Sequence, residues 1–509
     1  MPNITTFLDV NARYSKKPAL VYPARNEQYT FRELLSRTNA LGNGLLSAGI
    51  RKGDRVCIYM DSCPEYLISY LAIWRIGAIA VPTNIVYREA ELLHAIRDSG
   101  ARGLITHSSA MPVVQSIRHQ APSLSVVIAA GEPVQGALYL EEIYLGPDIL
   151  TAAHCSLEDL CQLQYTAGTT GKPKGAMLTH GNWMAALDAE REVLSLAEDD
   201  VYLGIYPLGH VGFSWGLAAL KAGATFVIME RFEVDRYLSL VESHKVTVLS
   251  AMPPVIHTLL SSPSGTEGRL STVRVMISGG GPLLPSVWEG FDRRFHIPIA
   301  NAYGLSETIV VGSATCVLPE HYSLHQNYQS VGAPVGYAEV CIVNESDPEI
   351  GVSPGVIGEI AVRGPAVAKG YFGMPEETHE VFRPDGWFLT GDLGFLDEDG
   401  VLHITDRKKD MIIMSGWKIY PAEVENVLIQ HPLVGDAAVF GRADERRGEI
   451  PVAAVVPKDG QIPTYEEIAS FCRERLAGYK VPRDLVIVSS LPRVSGWKLL
   501  RRELREKFH

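Results

Sequence analysis

Short apolar runs that alternate with helical segments constrain this chain more than any other feature. Arg55–Met60, Ala78–Val81 and Gly103–Thr106 are strand-like; between them Pro64 opens one helix and Glu89–Arg97 reads as another. The rhythm returns in Thr225–Met229, Val246–Ser250 and Val273–Ile277. Strands joined by helices run parallel, and continuously apolar strands are covered on both faces. The fold class is therefore α/β with doubly wound sheets. Thr30 and Glu33 form a capping box ahead of Leu34, Leu41 and Leu45, and Gly49 stops that helix. The most apolar stretch, Tyr66–Ile85, contains Arg75, Gly77 and Pro82. It reads as a buried helix running into a strand, not as an integral membrane segment.

The texture changes downstream. From Gly332 to Leu402 glycine and proline are frequent and strands alternate, as in Gly358–Arg363, which predicts a small antiparallel sheet or barrel. A charged run, Asp406 to Asp410, separates this part from a further α+β pattern: helix Pro421–Gln430, strands Asp436–Phe440 and Pro451–Val456, helix Thr464–Leu476. With 509 residues the chain exceeds one ordinary core. The expected division is a large N-terminal domain, 1–406, and a smaller C-terminal domain, 407–509.

Six stretches resist explanation as core. Tyr165 to Gly175 packs three glycines, three threonines and two lysines into eleven residues. It cannot bury an apolar face, but its N–H groups, hydroxyls and ammonium groups can converge on one anion. Lys172 is followed by Pro173 where a P-loop needs Ser or Thr, so this is no Walker A motif. Pro207-Leu-Gly-His210 follows a strand-like run, with Phe213 and Trp215 behind it, which read first as core aromatics. Ser278-Gly-Gly-Gly-Pro282 leaves bare backbone at a strand end, against which a flat ring can press. Asn301-Ala-Tyr-Gly-Leu-Ser-Glu-Thr308 carries the carboxylate of Glu307, a hard oxygen ligand, and Trp387-Phe-Leu-Thr-Gly-Asp392 ends a strand at a carboxylate. Near the C-terminus, Leu491-Pro-Arg-Val-Ser-Gly-Trp-Lys498 precedes a Leu-Leu-Arg-Arg run.

In order and spacing these stretches resemble the adenylate-forming superfamily, which includes acyl-CoA synthetases, aryl-CoA ligases, luciferases and peptide-synthetase adenylation domains. The resemblance covers roughly residues 5 to 508. It implies that Thr166, Ala167, Gly168, Thr169, Thr170, Gly171 and Lys174 hold the β,γ-phosphates of ATP, and that Thr166 and Glu307 serve Mg²⁺. Gly279, Gly280 and Gly281 pack along the adenine, Tyr303 stacks on it within the Ala302–Gly304 backbone, and Asn301 reads its amino group. Thr308 donates to the α-phosphate, Asp392 accepts the ribose hydroxyls and Arg407 adds a second ribose contact. His210 lines the acyl pocket; Gly209 replaces an aromatic usual in the family, which implies a wider pocket mouth. Lys498 stands in register with the catalytic lysine, although Trp497 occupies a position where relatives carry glycine. Lys409 matches the residue about which the small domain swings, a motion that would bring Gly416 and Lys418 to the coenzyme A thiol.

The implied chemistry is transfer of a carboxylate to the α-phosphate of ATP, release of pyrophosphate, then thioester formation with loss of AMP. No carrier segment follows Lys498, so free coenzyme A is the expected acceptor. The His210–Leu217 segment offers no Asp for an α-ammonium group, which disfavours amino acids. Gly209, Gly212, Gly304 and Ile309–Val311 suggest an apolar pocket of ordinary size, for a medium-chain, alicyclic or aromatic acid. A luciferase-type monooxygenase and a carrier-loading or non-catalytic nucleotide-binding protein are the alternatives. A formal charge of −12 argues against a nucleic-acid partner. Seven dispersed cysteines without C-x-x-C spacing, and an N-terminus without a basic and apolar leader, point to the cytoplasm. A homodimer is compatible with all of this.

Overall fold

A computed structural model describes residues 3–14, 16–166, 173–310, 312–315, 328–345, 347–494 and 498–508. Two large sheets dominate. The first has seven strands, ordered Leu138–Tyr139, Val126–Ala130, Gly103–His107, Arg55–Tyr59, Ile79–Thr83, Leu160–Thr166, Lys174–Thr179. It is parallel except for its last pair, a hairpin. The second has nine, ordered Ala333–Pro334, Ser313–Ala314, Ile299–Tyr303, Val275–Ser278, Val248–Ser250, Val201–Gly204, Thr225–Ile228, Pro18–Tyr22, Glu27–Thr30. Its six central strands are parallel and only its margins are antiparallel.

Both sheets change direction once. After Arg55–Tyr59 the chain pairs Ile79–Thr83 on one side and Gly103–His107 on the other. After Val201–Gly204 it pairs Thr225–Ile228 on one side and Val248–Ser250 on the other. Loops leaving the carboxyl ends of such strands diverge and open a crevice, where ligands of doubly wound folds bind.

Between the sheets lies the largest core, built on helices Phe31–Ser47, Pro64–Arg75, His180–Val193 and Ser214–Lys221. The first of these is capped as its sequence predicts: Glu33 N donates to Thr30 Oγ1 at 3.2 Å and Thr30 N to Glu33 Oε2 at 2.7 Å. Aromatic side chains fill the centre, with Tyr70 and Phe213 stacked at 4.6 Å and Trp74 and Trp183 at 5.1 Å between ring centroids. Burying each contributes about 2–3 kcal/mol. Phe213 and Trp215 belong to this core. Tyr66–Ile85 is, as expected, the end of a buried helix and the strand after it. No helix among the described residues is long and apolar enough to cross a membrane.

A four-stranded antiparallel sheet follows, Glu339–Val343, Gly358–Arg363, Phe388–Leu396 and Leu402–Arg407. Beyond it lies a five-stranded sheet ordered Trp417–Ile419, Ile412–Met414, Gly448–Pro457, Val434–Asp444, with Asp484–Ile487 parallel to Gly448–Pro457. Helices Pro421–Leu428 and Tyr465–Arg473 cover one face of it.

The N-terminal segment is pinned to the main core by a histidine. The fully buried His180 accepts from Ile4 N through Nδ1 at 3.4 Å, and its Nε2 has no partner among the described residues. Burial pushes its pKa down to about 4. An unfolded chain takes up a proton near 6.5, whereas the folded one refuses it until about 4. Stability therefore falls as pH drops through that window, by about 3 kcal/mol for this group. Replacing His180 with Gln should flatten that decline relative to the parent when urea midpoints are compared between pH 7 and pH 4; parallel curves would refute the assignment.

Candidate active site

The carboxyl ends of both large sheets converge on the segment Tyr206–His210. From the seven-stranded sheet, Ser62 Oγ accepts from Leu208 N at 3.0 Å and Gln164 Nε2 donates to Gly209 O at 3.3 Å. Asn84 Nδ2 lies 3.4 Å from His210 Nε2, and Tyr70 Oη donates to Leu208 O at 3.2 Å. His210 is thus set where two crevices meet. Gly209 does not widen a pocket mouth. A Cβ there would stand 3.1 Å from Thr83 O and 3.4 Å from Tyr66 Oη, so the neighbouring strand already fills that space.

Opposite stands the hairpin of Leu160–Thr166 and Lys174–Thr179, whose last register pair is Thr166 with Lys174. Ala167, Gly168, Thr169, Thr170 and Gly171 lie outside the described residues. The hairpin mouth is shaped by its flanks: Tyr165 Oη donates to Asp98 Oδ2 at 2.6 Å, and His94 Nε2 is 3.2 Å from Pro173 O. Lys174, nine-tenths buried, holds its ammonium 5.1 Å from the centroid of the Tyr371 ring, a cation–π distance.

Tyr371 carries that contact onward, its hydroxyl donating to Glu307 Oε1 at 2.9 Å. Burial, and then the Glu307 charge, holds its phenol protonated far above the ordinary tyrosine range, so it stays a donor. Glu307 is 7% exposed and sits in the single turn Ser306–Thr308, which packs on both hairpin strands. Sequence reading found Glu307 but missed Tyr371, which stands sixty-four positions away in a segment without chemical signal. Among the described residues no three His, Cys, Asp or Glu side chains group to hold a metal. A steadied carboxylate near a threonine hydroxyl is instead a hard-oxygen donor set suited to an ion that shares its shell with phosphate and water.

The other end of the same segment meets the four-stranded sheet. Tyr303 Oη donates to Asp392 Oδ2 at 2.8 Å, and Arg407 Nε lies 3.2 Å from Asp392 Oδ1. Asp392 and Arg407 are direct register partners of adjacent strands, so their pairing is built into the sheet. Asn301 Nδ2 donates to Ser330 O at 3.0 Å, which fixes the orientation of the side-chain amide. Gly279 is backed by Ala302, and a Cβ on it would come 3.0 Å from Ala302 O; Gly280 has φ of +83°, which suits glycine. Gly281 and Gly304 complete the two loops beside them. The Thr308 hydroxyl is engaged locally, accepting from Leu305 N at 3.0 Å.

Around Lys409 the geometry is denser than its sequence suggests. Burial, and next to it Arg407, lowers the Lys409 pKa. Its neighbour Lys408 donates to Glu359 Oε2 at 2.7 Å, and Glu359 Oε1 accepts from Gly391 N at 3.1 Å. Asp406, its pKa raised to about 6 by burial, accepts from Ala422 N at 2.8 Å at the start of helix Pro421–Leu428. Ser415 and Gly416, both at positive φ, form the tip between Ile412–Met414 and Trp417–Ile419, and Lys418 pairs with Glu345 at 2.9 Å. Lys498 forms a short hairpin in which its backbone pairs with Val494. The Lys498 side chain and Trp497 lie outside the described residues.

Two comparisons decide the family. A family model described as AMP-binding enzyme matches residues 7–372, and one described as AMP-binding enzyme C-terminal domain matches residues 423–496. The chain belongs to the AMP-binding, adenylate-forming enzymes. It is 36% identical over 486 residues to a feruloyl-CoA synthase of Amycolatopsis sp, covering 94% of each chain. It is 33% identical over 507 residues to 4-coumarate–CoA ligase 3 of Oryza sativa subsp. japonica, covering 97% of this chain and 90% of that one. An anthranilate–CoA ligase solved with anthranoyl-AMP superposes with a TM-score of 0.90 at 29% identity, covering 99% and 97% of the two chains.

In this AMP-binding enzyme the turn after Glu307 is strained. Ile309 and Val310 have φ of +49° and +55°, a region that β-branched residues avoid at a cost of about 1–3 kcal/mol each. Val310 N bonds back to Leu305 O at 3.0 Å and Glu307 O accepts from Ala368 N at 2.7 Å, which holds the turn in place. At ordinary φ an alanine is more stable than a glycine, but here the order should invert. Val310→Gly is expected to be about 1 kcal/mol more stable than Val310→Ala in urea titration, and the ordinary order would refute the strain.

Proposed function

We propose that this chain is an ATP-dependent carboxylic acid:CoA ligase, forming acyl-AMP and pyrophosphate and then acyl-CoA and AMP. The observation that carries the reading is the bracing of one segment, Asn301–Thr308, from two sides: Asp392 holds Tyr303, and Tyr371 links Glu307 to Lys174. That segment thereby joins a carboxylate suited to ribose to a cationic hairpin suited to phosphates. The CoA ligases among its relatives support the same reading.

A carboxylate resists attack because of its own charge and has a poor leaving group; adenylation replaces that leaving group with AMP. The step needs positioning and charge neutralisation more than acid–base chemistry. In the proposed arrangement Thr166, Thr169, Thr170 and Lys174 bind the departing phosphates, the 279–281 glycines and Tyr303 enclose the adenine, Asn301 accepts from its amino group and Asp392 from the ribose. Thr308 meets the α-phosphate once its hydroxyl turns from Leu305. Mg²⁺ fits Glu307 and Thr166, and when bound supplies neutralisation of phosphate charge. Lys498 bridges the carboxylate and the α-phosphate. The C-terminal domain, 407–509, turns about Lys409 so that Lys498 withdraws and Gly416 and Lys418 approach the thiol. In this arrangement Lys418 must first leave Glu345. The acid is a medium-chain, alicyclic or aromatic carboxylate and the reaction is cytoplasmic; the acids named by the relatives, ferulate, 4-coumarate and 2-succinylbenzoate, favour the aromatic class.

The test is release of AMP and pyrophosphate across hexanoate, palmitate, benzoate, 4-coumarate and cyclohexanecarboxylate, each with and without CoA. AMP release that requires CoA with one acid is the expected result, and no turnover with any of them would overturn the reading. With the acid that works, Lys498→Ala should lower adenylation by at least about a hundredfold, roughly 3 kcal/mol of barrier, yet leave thioester formation from supplied acyl-AMP within about threefold. Equal loss in both steps would remove Lys498 from its assigned role.

A further inference from the structure

Asn84 stands where the strand Ile79–Thr83 ends, and a tight turn fixes it there. Its side-chain Oδ1 accepts from Val86 N at 3.1 Å, and its carbonyl accepts from Tyr87 N at 2.9 Å. Tyr59, on the neighbouring strand, donates its hydroxyl to Tyr87 O at 2.8 Å and braces the far side of the turn. A side-chain amide has one oxygen and one NH2 group. With the oxygen committed to a backbone N–H, a flipped amide would set its NH2 against that same donor. The NH2 group, and not the oxygen, is therefore what faces His210 Nε2 at 3.4 Å.

An NH2 group offers only protons, so Nε2 must supply the lone pair. A neutral imidazole carries one N–H, and the hydrogen bond at one nitrogen decides where that proton sits. Here it belongs on Nδ1. The imidazolium, protonated on both nitrogens, would set one donor against another. The backbone that carries His210 is as firmly held as the turn that carries Asn84. His210 N donates to Pro207 O at 3.0 Å, and Leu208 and Gly209 are tied to Ser62, Tyr70 and Gln164. The two partners come from the ends of different sheets, Asn84 from the seven-stranded one and His210 from beyond the strand Val201–Gly204 of the other.

We propose that Asn84 is a positioning residue of the acyl site: its amide holds His210 in the neutral tautomer protonated on Nδ1, so that the bound acid meets an uncharged hydrogen-bond donor. This rests on the ligase reading above, in which His210 lines the acyl pocket, and adds what sets the state of its ring. A charged ring would pair with the carboxylate and hold back the negative charge that the acid must bring to the α-phosphate. A ring protonated on Nε2 would offer the acid a lone pair instead of a proton.

Asn84→Asp tests this, because it is nearly isosteric, keeps an oxygen for Val86 N and presents an acceptor to His210 Nε2. Ligand-free protein labelled with ¹⁵N-histidine is measured by NMR at about pH 8, above the ordinary histidine range. The ring signals of His210 are assigned by their loss in His210→Gln. The parent should show the proton on Nδ1, and Asn84→Asp should move it to Nε2. With the acid that turns over, Asn84→Asp should raise KM for the acid by about tenfold and leave KM for ATP within about twofold. A parent ring protonated on Nε2, or a signature unchanged in Asn84→Asp, overturns the proposal, and so does a moved proton with an unchanged KM for the acid. Absence of acyl-CoA from every acid overturns the ligase reading instead, while the ring signature still judges Asn84.

Discussion

A carboxylate that water barely reaches has to be held by the protein, and the candidate site is arranged around one such group. Glu307 is steadied by the Tyr371 hydroxyl, whose ring also faces the Lys174 ammonium. Isolating an ionised carboxylate from water costs several kcal/mol unless donors and cations surround it. Here the compensation comes from three distant pieces of chain: the hairpin of Leu160–Thr166 and Lys174–Thr179, the turn after Ile299–Tyr303, and the Ala368–Tyr371 segment, whose backbone bonds to both of the others. Glu307 is therefore a structural joint, and the strain at Ile309 and Val310 is stored beside it.

Much of this was legible in the sequence because it is local. Thr30 and Glu33, and likewise Thr464 and Glu467, announce helix starts within three residues, and both pairs form the reciprocal bonds that their spacing predicts. Parallel strands showed as apolar runs because both faces are covered. Edges were less exact. Asp436–Phe440 extends to Val434–Asp444, since its polar end is held by pairing with Gly448–Pro457 and by Arg442 on Asp484 at 2.8 Å rather than by burial. Val246–Ser250 shortens to Val248–Ser250, the loop before it being apolar because it is buried, not because it is extended.

What stayed hidden depends on contacts across long separations. Tyr371 and Asn84 sit in segments with no motif, and they, Gln164 and the Lys408–Glu359 pair acquire their contacts only when strand ends are brought together. Gly209 shows the opposite failure. Its departure from the family pattern is visible, yet its meaning is not, because the space beside it belongs to Thr83 of another sheet. The site roles proposed above rest on resemblance and geometry together, not on composition.

The C-terminal helix Arg501–Lys507 has a mechanical consequence. Arg501 and Arg505 both grip Asp410, at 3.4 Å and 3.0 Å, and Arg501 also binds Glu425 at 2.7 Å, all with little solvent exposure. Partly buried pairs are screened little by salt. Asp410 is the residue next to Lys409, and the Lys498 hairpin leads directly into the same helix. The linkage thus has little backlash: torque applied at residues 409–410 would reach the hairpin through a stiff, three-point mount rather than through a slack chain end.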